Sequence, residues 1–343
     1  MSGRRERPQV KIAAPAAASA PIRLDRLVNP YGASPLVAES LAAADDLHRD
    51  PDRLLPVLHR RLAAQSGVPA GWVRPANGID EVINAAIAGA GEGPLVVFPP
   101  GNDPAGEQPS AGRERIDVWR SQAFLPALDP ETAAELPRDG IAVLTSPHDP
   151  SGALLPVQDA VRLARSCKWV FIDERCGGFG PRSFSRLARE FDNVVVFQTL
   201  ETWAGLSAFP VGWAVGSPRA LDRIFADSVR PVSAGAAVAA LATLDDMPGV
   251  LANVRRVRDE RSRLFRMLRK LNMVQPMPSW AGFVLARATR STGDELAEQL
   301  RQRGILVLRP SGPALEDVLR ISAGRPSDTD ALQRALVEAG LVI

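Results

Sequence analysis

Three polar turns, each following an apolar run, hold the residues of this 343-residue chain that are able to do chemistry. "KWVFIDE" (168–174) carries Asp173, "GIAVLTSP" (140–147) leads to His148 and Asp149, and "NVVVFQTL" (193–200) leads to Glu201 and Thr202. A carboxylate directly after a buried strand needs a partner, because an uncompensated charge is costly away from water. For Asp173 that partner is a protein cation or a protonated ligand nitrogen, and a helix cap or buried ion pair is the purely structural alternative. His148, one of three histidines, reads either as a solvated turn residue or as a general base. Glu201 and Thr202 stand beside no obvious base or metal ligand. A mechanism that needs an amine has only Lys11, Lys168 and Lys270 to draw on, the other basic residues being arginines. No dinucleotide-binding glycine motif, phosphate loop, zinc-protease helix or serine-hydrolase elbow occurs with the right flanks.

Ligands of open α/β sheets bind at the carboxyl ends of the strands, so a sheet of that kind has to carry these turns. Short β-branched runs at 94–100, 115–120 and 211–216 extend the set, with helical patterns at 156–166 and 183–191 between strands. That alternation is α/β. Several runs are apolar throughout, as expected where helices cover both sheet faces. Upstream, 22–32 looks extended and ends in "NPYG"; helical spacing then covers 35–47, 52–65 and, after a glycine turn, 77–91. Beyond Gly216 the texture changes to helices, including an Arg-studded one over 249–271. Strands at 282–287, 304–310 and 317–324 follow, with helices at 293–303 and 327–339, giving an α+β terminal lobe.

Hydrophobic residues at 45% and charged residues at 23% match a soluble globular protein. A net charge of only +2 supplies no strong field for nucleic acid or an anionic membrane. No run reaches membrane-spanning length. Cys167 and Cys176 make neither a disulfide framework nor a metal-spaced cluster, so no metal is expected and a reducing cytoplasm is the natural compartment. Residues 1–21, basic and then Ala/Pro-rich, read as a disordered tail.

In order along the chain, "NPYGASP" (29–35), "ANGIDEVI" (76–83), "SPHDPSG" (146–152), "FIDERC" (171–176), "QTLETWAGLSAFPVGW" (198–213) and "LRISAG" (319–324) resemble the motifs of the fold-type-I pyridoxal-phosphate aminotransferases. The similarity is closest to the histidinol-phosphate aminotransferase branch and runs from about Leu27 to the C-terminus. It implies a large domain (61–235) with a mostly parallel seven-stranded sheet sandwiched by helices. A smaller α+β domain would come from the N-terminal segment (22–60) and the C-terminal segment (236–343).

The resemblance also implies what each position was for. Thr202 stands where the family has the Schiff-base lysine, and a hydroxyl forms no imine. Asn77, Gly78 and Asp80 match the phosphate-cradling turn, Glu201 the serine before the lysine, and Pro210 the arginine five residues after Gly205. Asp149 matches the asparagine at the cofactor's phenolic oxygen, Asp173 the pyridinium partner, and Cys176 a tyrosine. Tyr31 and Arg320 match substrate-binding positions. A partner subunit's tyrosine would fall near His48 and Arg49. These exchanges make the implied pocket about four charge units more negative, each worth roughly 4 kcal/mol at 4 Å before screening. The resulting expectation is a degenerate member with no bound cofactor, acting as a binding or regulatory protein or as a subunit, in a homodimer or a heterodimer with an active homologue. Two other readings stand beside it. One is a noncanonical transferase that uses pyridoxal phosphate or its amine form on an amino acid or amino-phosphate, with His148 as base. The other is a generic α/β protein that binds a small cationic metabolite near Asp149, Asp173 and Glu201.

Overall fold

The computed structural model describes residues 20–45, 47–101, 112–225 and 229–338. The expected tail over 1–21 falls almost wholly outside the described residues, and so does Lys11.

Strand β1 (Ile22–Leu24) is followed by helices α1 (Pro35–Ala43) and α2 (Leu55–Ser66). The run β2 (Val73–Ala76), α3 (Ile79–Gly89), β3 (Leu95–Val97), β4 (Arg115–Asp117), α4 (Pro130–Glu135), β5 (Ile141–Thr145), α5 (Val157–Ser166), β6 (Trp169–Asp173), α6 (Ser185–Glu190), β7 (Val194–Thr199) and β8 (Gly212–Val215) builds the central sheet and its cover. Helices α7 (Pro218–Phe225), α8 (Ala234–Asp245) and α9 (Met247–Leu268) lead to β9 (Val274–Pro276), β10 (Phe283–Ala288), α10 (Gly293–Gln302), β11 (Ile305–Val307), β12 (Val318–Ser322) and α11 (Pro326–Glu338).

The central sheet has seven strands in the order β2-β8-β7-β6-β5-β3-β4. Strands β7, β6, β5, β3 and β4 run parallel, while β8 and β2 join antiparallel at one edge. A mostly parallel sheet needs helices on both faces, and β5 and β6 are accordingly buried at every residue. Strand alternation sorts their side chains into two layers. Ile141, Val143, Trp169, Phe171 and Phe197 pack under α3 and α7. Ala142, Leu144, Val170, Ile172 and Val196 pack with residues of α2, α5, α6 and α8.

The terminal lobe pairs β12-β10-β9 antiparallel, and β1 lies parallel to β11, so the N-terminal segment shares a sheet with the far end of the chain. Local caps match the sequence. Ser34 caps α1 ahead of Pro35, and Thr292 with Glu295 forms a capping box on α10. Three elements lack a clear sequence signal. They are β2, which contains Pro75 and sits at the sheet edge where proline is tolerated, the three-residue β9, and the six-residue α4. Among the described residues no single helix is long and apolar enough to cross a membrane.

The start of α3 is pressed onto β8. A Cβ added to Gly212 would come within 2.5 Å of the Ile79 backbone. Gly212→Ala should therefore lower stability by about 1–3 kcal/mol through overpacking. Denaturant midpoints of the two proteins at equal m-value measure this, and an unchanged midpoint would contradict the contact.

Candidate functional site

At the end of β6, Asp173 is 1% exposed. Its Oδ1 accepts from the Arg175 backbone N–H at 2.7 Å and its Oδ2 from Arg175 Nε at 2.6 Å. The same guanidinium reaches Asp80 on α3 at 2.9 Å, so Arg175 bridges two elements. Burial pushes the Asp173 carboxyl up, and the Arg175 charge and its two donors oppose that. Burial also acts to lower Arg175, but Asp173 and Asp80 outweigh it and hold the guanidinium above its ordinary value. The buried ion pair, one of the partners the sequence allowed for Asp173, is the one found.

Gly78 opens α3 with φ +108°, a conformation glycine adopts without strain. The helix N-terminus behind it is a natural anion site. Here its anion is internal, because the Glu201 carboxylate accepts from the Ile79 N–H and from Thr199 Oγ1, both at 2.9 Å. Pro210 crowds the same place, 3.3 Å from where a Cβ on Gly78 would lie. Asn77 is exposed, and Asp80 points out to Arg175.

Thr202 spends its hydroxyl on the Arg175 carbonyl oxygen, while its own carbonyl accepts from the Asn29 N–H at 3.1 Å. The Asn29 side chain donates to the Trp203 carbonyl at 2.8 Å, and Gly205, at φ +76°, packs so tightly on Gly32 that a Cβ would lie 2.5 Å from its carbonyl carbon. The turn over 201–205 is thereby stapled to the N-terminal segment. Tyr31, in that segment, has the guanidinium groups of Arg256 and Arg325 over its ring at 5.2 and 5.8 Å.

Asp149 and Arg320 form a second buried pair, at 2.6 Å. Arg320 also donates to the Asp25 carbonyl and lies 5.2 Å from the centre of the Phe283 ring. Among the described residues Asp149 Oδ1, Arg320 Nε and Ser322 Oγ, all buried, have no hydrogen-bond partner. Cys176 is enclosed beside this pair, and burial first and the Asp149 charge second push its thiol far up, which keeps it unreactive. His148 is 2% exposed and shares a 2.8 Å hydrogen bond between its Nδ1 and Ser151 Oγ. Burial, then the Arg120 charge, hold its pKa well below the usual value, so the ring is neutral and enclosed rather than solvated. Of the described lysines, Lys168 lies at the amino end of β6 with its amine on the Glu92 carbonyl, and Lys270 follows α9. Neither approaches this turn.

Sequence reasoning missed Arg175. The available signal was an arginine two residues after Asp173, a spacing that lets a side chain fold back on the strand end.

The aminotransferase class I and II family model matches residues 120–337. The histidinol-phosphate aminotransferase of Roseiflexus castenholzii is 33% identical over 334 residues, covering 92% of this chain and 89% of its own. The solved histidinol-phosphate aminotransferase from Clostridium acetobutylicum superposes with a TM-score of 0.82 at 17% identity, covering 93% of this chain and 100% of its own. That from Sinorhizobium meliloti, solved in complex with pyridoxal-5'-phosphate, gives 0.81 at 21% identity over 93% of this chain and 90% of its own. This last structure, with the family match, overturns the expectation of no cofactor and points to pyridoxal phosphate. The physical reason lies in the charge count. It omitted Arg175 and treated Asp149 as bare, whereas each acid in the site has an internal partner.

The residues fit that group at one end only. The partnerless Asp149 Oδ1 suits a donor of a pyridine ring, while Asp173 would have to share oxygens already held by Arg175. The opposite end does not fit as arranged, since Glu201 already holds the Ile79 N–H.

Removing one partner of the Asp149–Arg320 pair leaves an uncompensated buried charge. Arg320→Met should therefore cost about 3–5 kcal/mol, and pairing it with Asp149→Leu should restore most of that loss. Chemical denaturation of the single and double variants tests this, and purely additive losses would contradict it.

Proposed function

The chain belongs to the class I and II aminotransferases, in the branch of the histidinol-phosphate aminotransferases, and from that premise we propose that it does not carry out lysine-dependent transamination. In this reading it holds pyridoxal phosphate, or the amine form of that cofactor, without a covalent bond. It serves as a binding or regulatory protein, or as a subunit beside an active homologue. The observation that carries the reading is Thr202: at the position the family gives to its lysine, it has a hydroxyl committed to the Arg175 carbonyl. The family's chemistry, when the cofactor is bound, is electron withdrawal by its pyridine ring. This chain's own residues supply a carboxylate at Asp173, held by Arg175, a cation at Arg320, and an acceptor at Asp149. None of them is an amine that could shuttle protons.

Dialysis after loading, combined with visible absorbance, tests the reading. The wild type should lose bound pyridoxal phosphate on dialysis and show no band of lysine-bound cofactor. Thr202→Lys with Pro210→Arg should gain that band. Glu201→Ser, which frees the Ile79 N–H for a phosphate oxygen, should tighten retention by about tenfold, the effect of one charge-assisted hydrogen bond. Turnover of histidinol phosphate by the wild type, or a lysine-bound band in it, would refute the proposal.

A further inference from the structure

A cavity of about 240 Å³ opens on the face of the central sheet away from Asp173. The alternation along β6 separates two neighbouring acids. Asp173 continues the row of Trp169 and Phe171 under α3, whereas Glu174 turns toward the layer of Val170 and Ile172. Glu174 is 2% exposed and lines this cavity with Gln198, Trp203 and Trp213, and Leu251 of α9 stands among the lining residues. Gly178 lines it as well, passing so close to Trp203 that a Cβ would meet the indole at 2.2 Å.

The partners of Glu174 are all neutral. Oε1 accepts from the Phe184 N–H at 2.6 Å, and Oε2 accepts from Ser183 Oγ at 2.6 Å and from Gln198 Nε2 at 2.8 Å. Gln198 is itself oriented by Ser66, which donates to its Oε1 at 2.7 Å and accepts from Trp213 Nε1 at 2.9 Å. Among the described residues Glu174 makes no ion pair. The charged groups around it are engaged elsewhere. Asp173, beside it on β6, is held by Arg175. Arg182, also lining the cavity, donates to the Leu155 carbonyl and lies over the Phe184 ring. Arg258 of α9 is committed to the carbonyls of Gly178, Phe179 and Gly180. A carboxylate oriented by three donors thus lacks a counter-charge, next to an open space walled by two indoles.

We propose that this cavity binds a small organic ammonium ion, its charged head on Glu174 and its short carbon chain against Trp203 and Leu251. A cation supplies the charge that the protein withholds. A neutral molecule would leave the carboxylate uncompensated, and an anion would be repelled. The cavity is smaller than the roughly 300–1,000 Å³ of drug-sized sites, which suits a head group with only a few carbons. Thr199 borders both sites, but the side chains proposed to hold the ion, Glu174, Trp203 and Leu251, take no part in the one around Thr202, so the proposal stands or falls independently of the function proposed above.

Burial pushes the Glu174 carboxyl up to about 7, with the Ser183, Gln198 and Phe184 donors opposing. Only its ionised form attracts a cation, so binding is strong above neutrality and weakens as pH falls through that value. Calorimetric titration of the full chain with n-propylammonium chloride at pH 8 and pH 6 reads this directly, with n-propanol and propionate as controls. The ammonium stays charged at both pH values, as a lysine amine does, so the change belongs to the protein; affinity should drop by about fivefold to tenfold, the span of one titrating group. Glu174→Gln, which keeps the shape and removes the charge, should bind about tenfold more weakly with its circular dichroism unchanged. Equal binding of n-propanol, no binding of the ammonium at pH 8, or full affinity in folded Glu174→Gln would each overturn the proposal. If that variant fails to fold, the wild-type pH comparison and the propanol control decide.

Discussion

A carboxylate sealed at the end of a fully buried strand has to be answered by a positive charge, and much of this molecule follows from how Asp173 is answered. With 1% exposure it has no recourse to water. Arg175 supplies the cation from only two residues away and carries the link on to Asp80, tying β6 to the first turn of α3. The same guanidinium residue offers its carbonyl to Thr202, so the strand end, the helix start and the turn after β7 meet at one arginine. The Asp149–Arg320 pair does the equivalent work between the β5 loop and the terminal lobe. Such pairs contribute little net stability, because desolvation cancels most of the attraction, but they penalise any arrangement that separates them.

The sheet was legible from sequence wherever burial on both faces left an uninterrupted apolar run. β5, β6 and β7 are of that kind, and the order of six motifs matched the family and the fold. Legibility failed where an element is short or contains a residue that its type disfavours. Pro75 disguised β2, and three residues were too few to betray β9. Helix ends moved by a few residues for a similar reason, since caps such as Ser233 and Asp246 set them rather than the apolar periodicity.

The site itself was half legible. Positions could be assigned one at a time, but charge is a property of the assembled set. Counting Glu201 and Asp149 as additions, without Arg175 and without the pairing of Asp149 to Arg320, overstated the negative charge, which those two arginines offset in part while Glu201 rests on neutral donors. Pairings between residues 122 or 171 apart in sequence, such as Glu201 with Ile79 and Asp149 with Arg320, are invisible to local reading. His148 illustrates the opposite error. Its turn-rich surroundings suggest solvent, yet the loop folds inward and encloses it against Ser151.

The staple between Asn29, Gly32 and the turn over 201–205 has a consequence for how such a chain diverges. Backbone groups and two glycines make most of those contacts, so apart from the Thr202 hydroxyl on the Arg175 carbonyl the path of the turn rests on groups other than the side chain at position 202. Selection on the reactive group and selection on the fold are thereby uncoupled. A substitution at position 202 can therefore change the reactive group while the loop keeps its form.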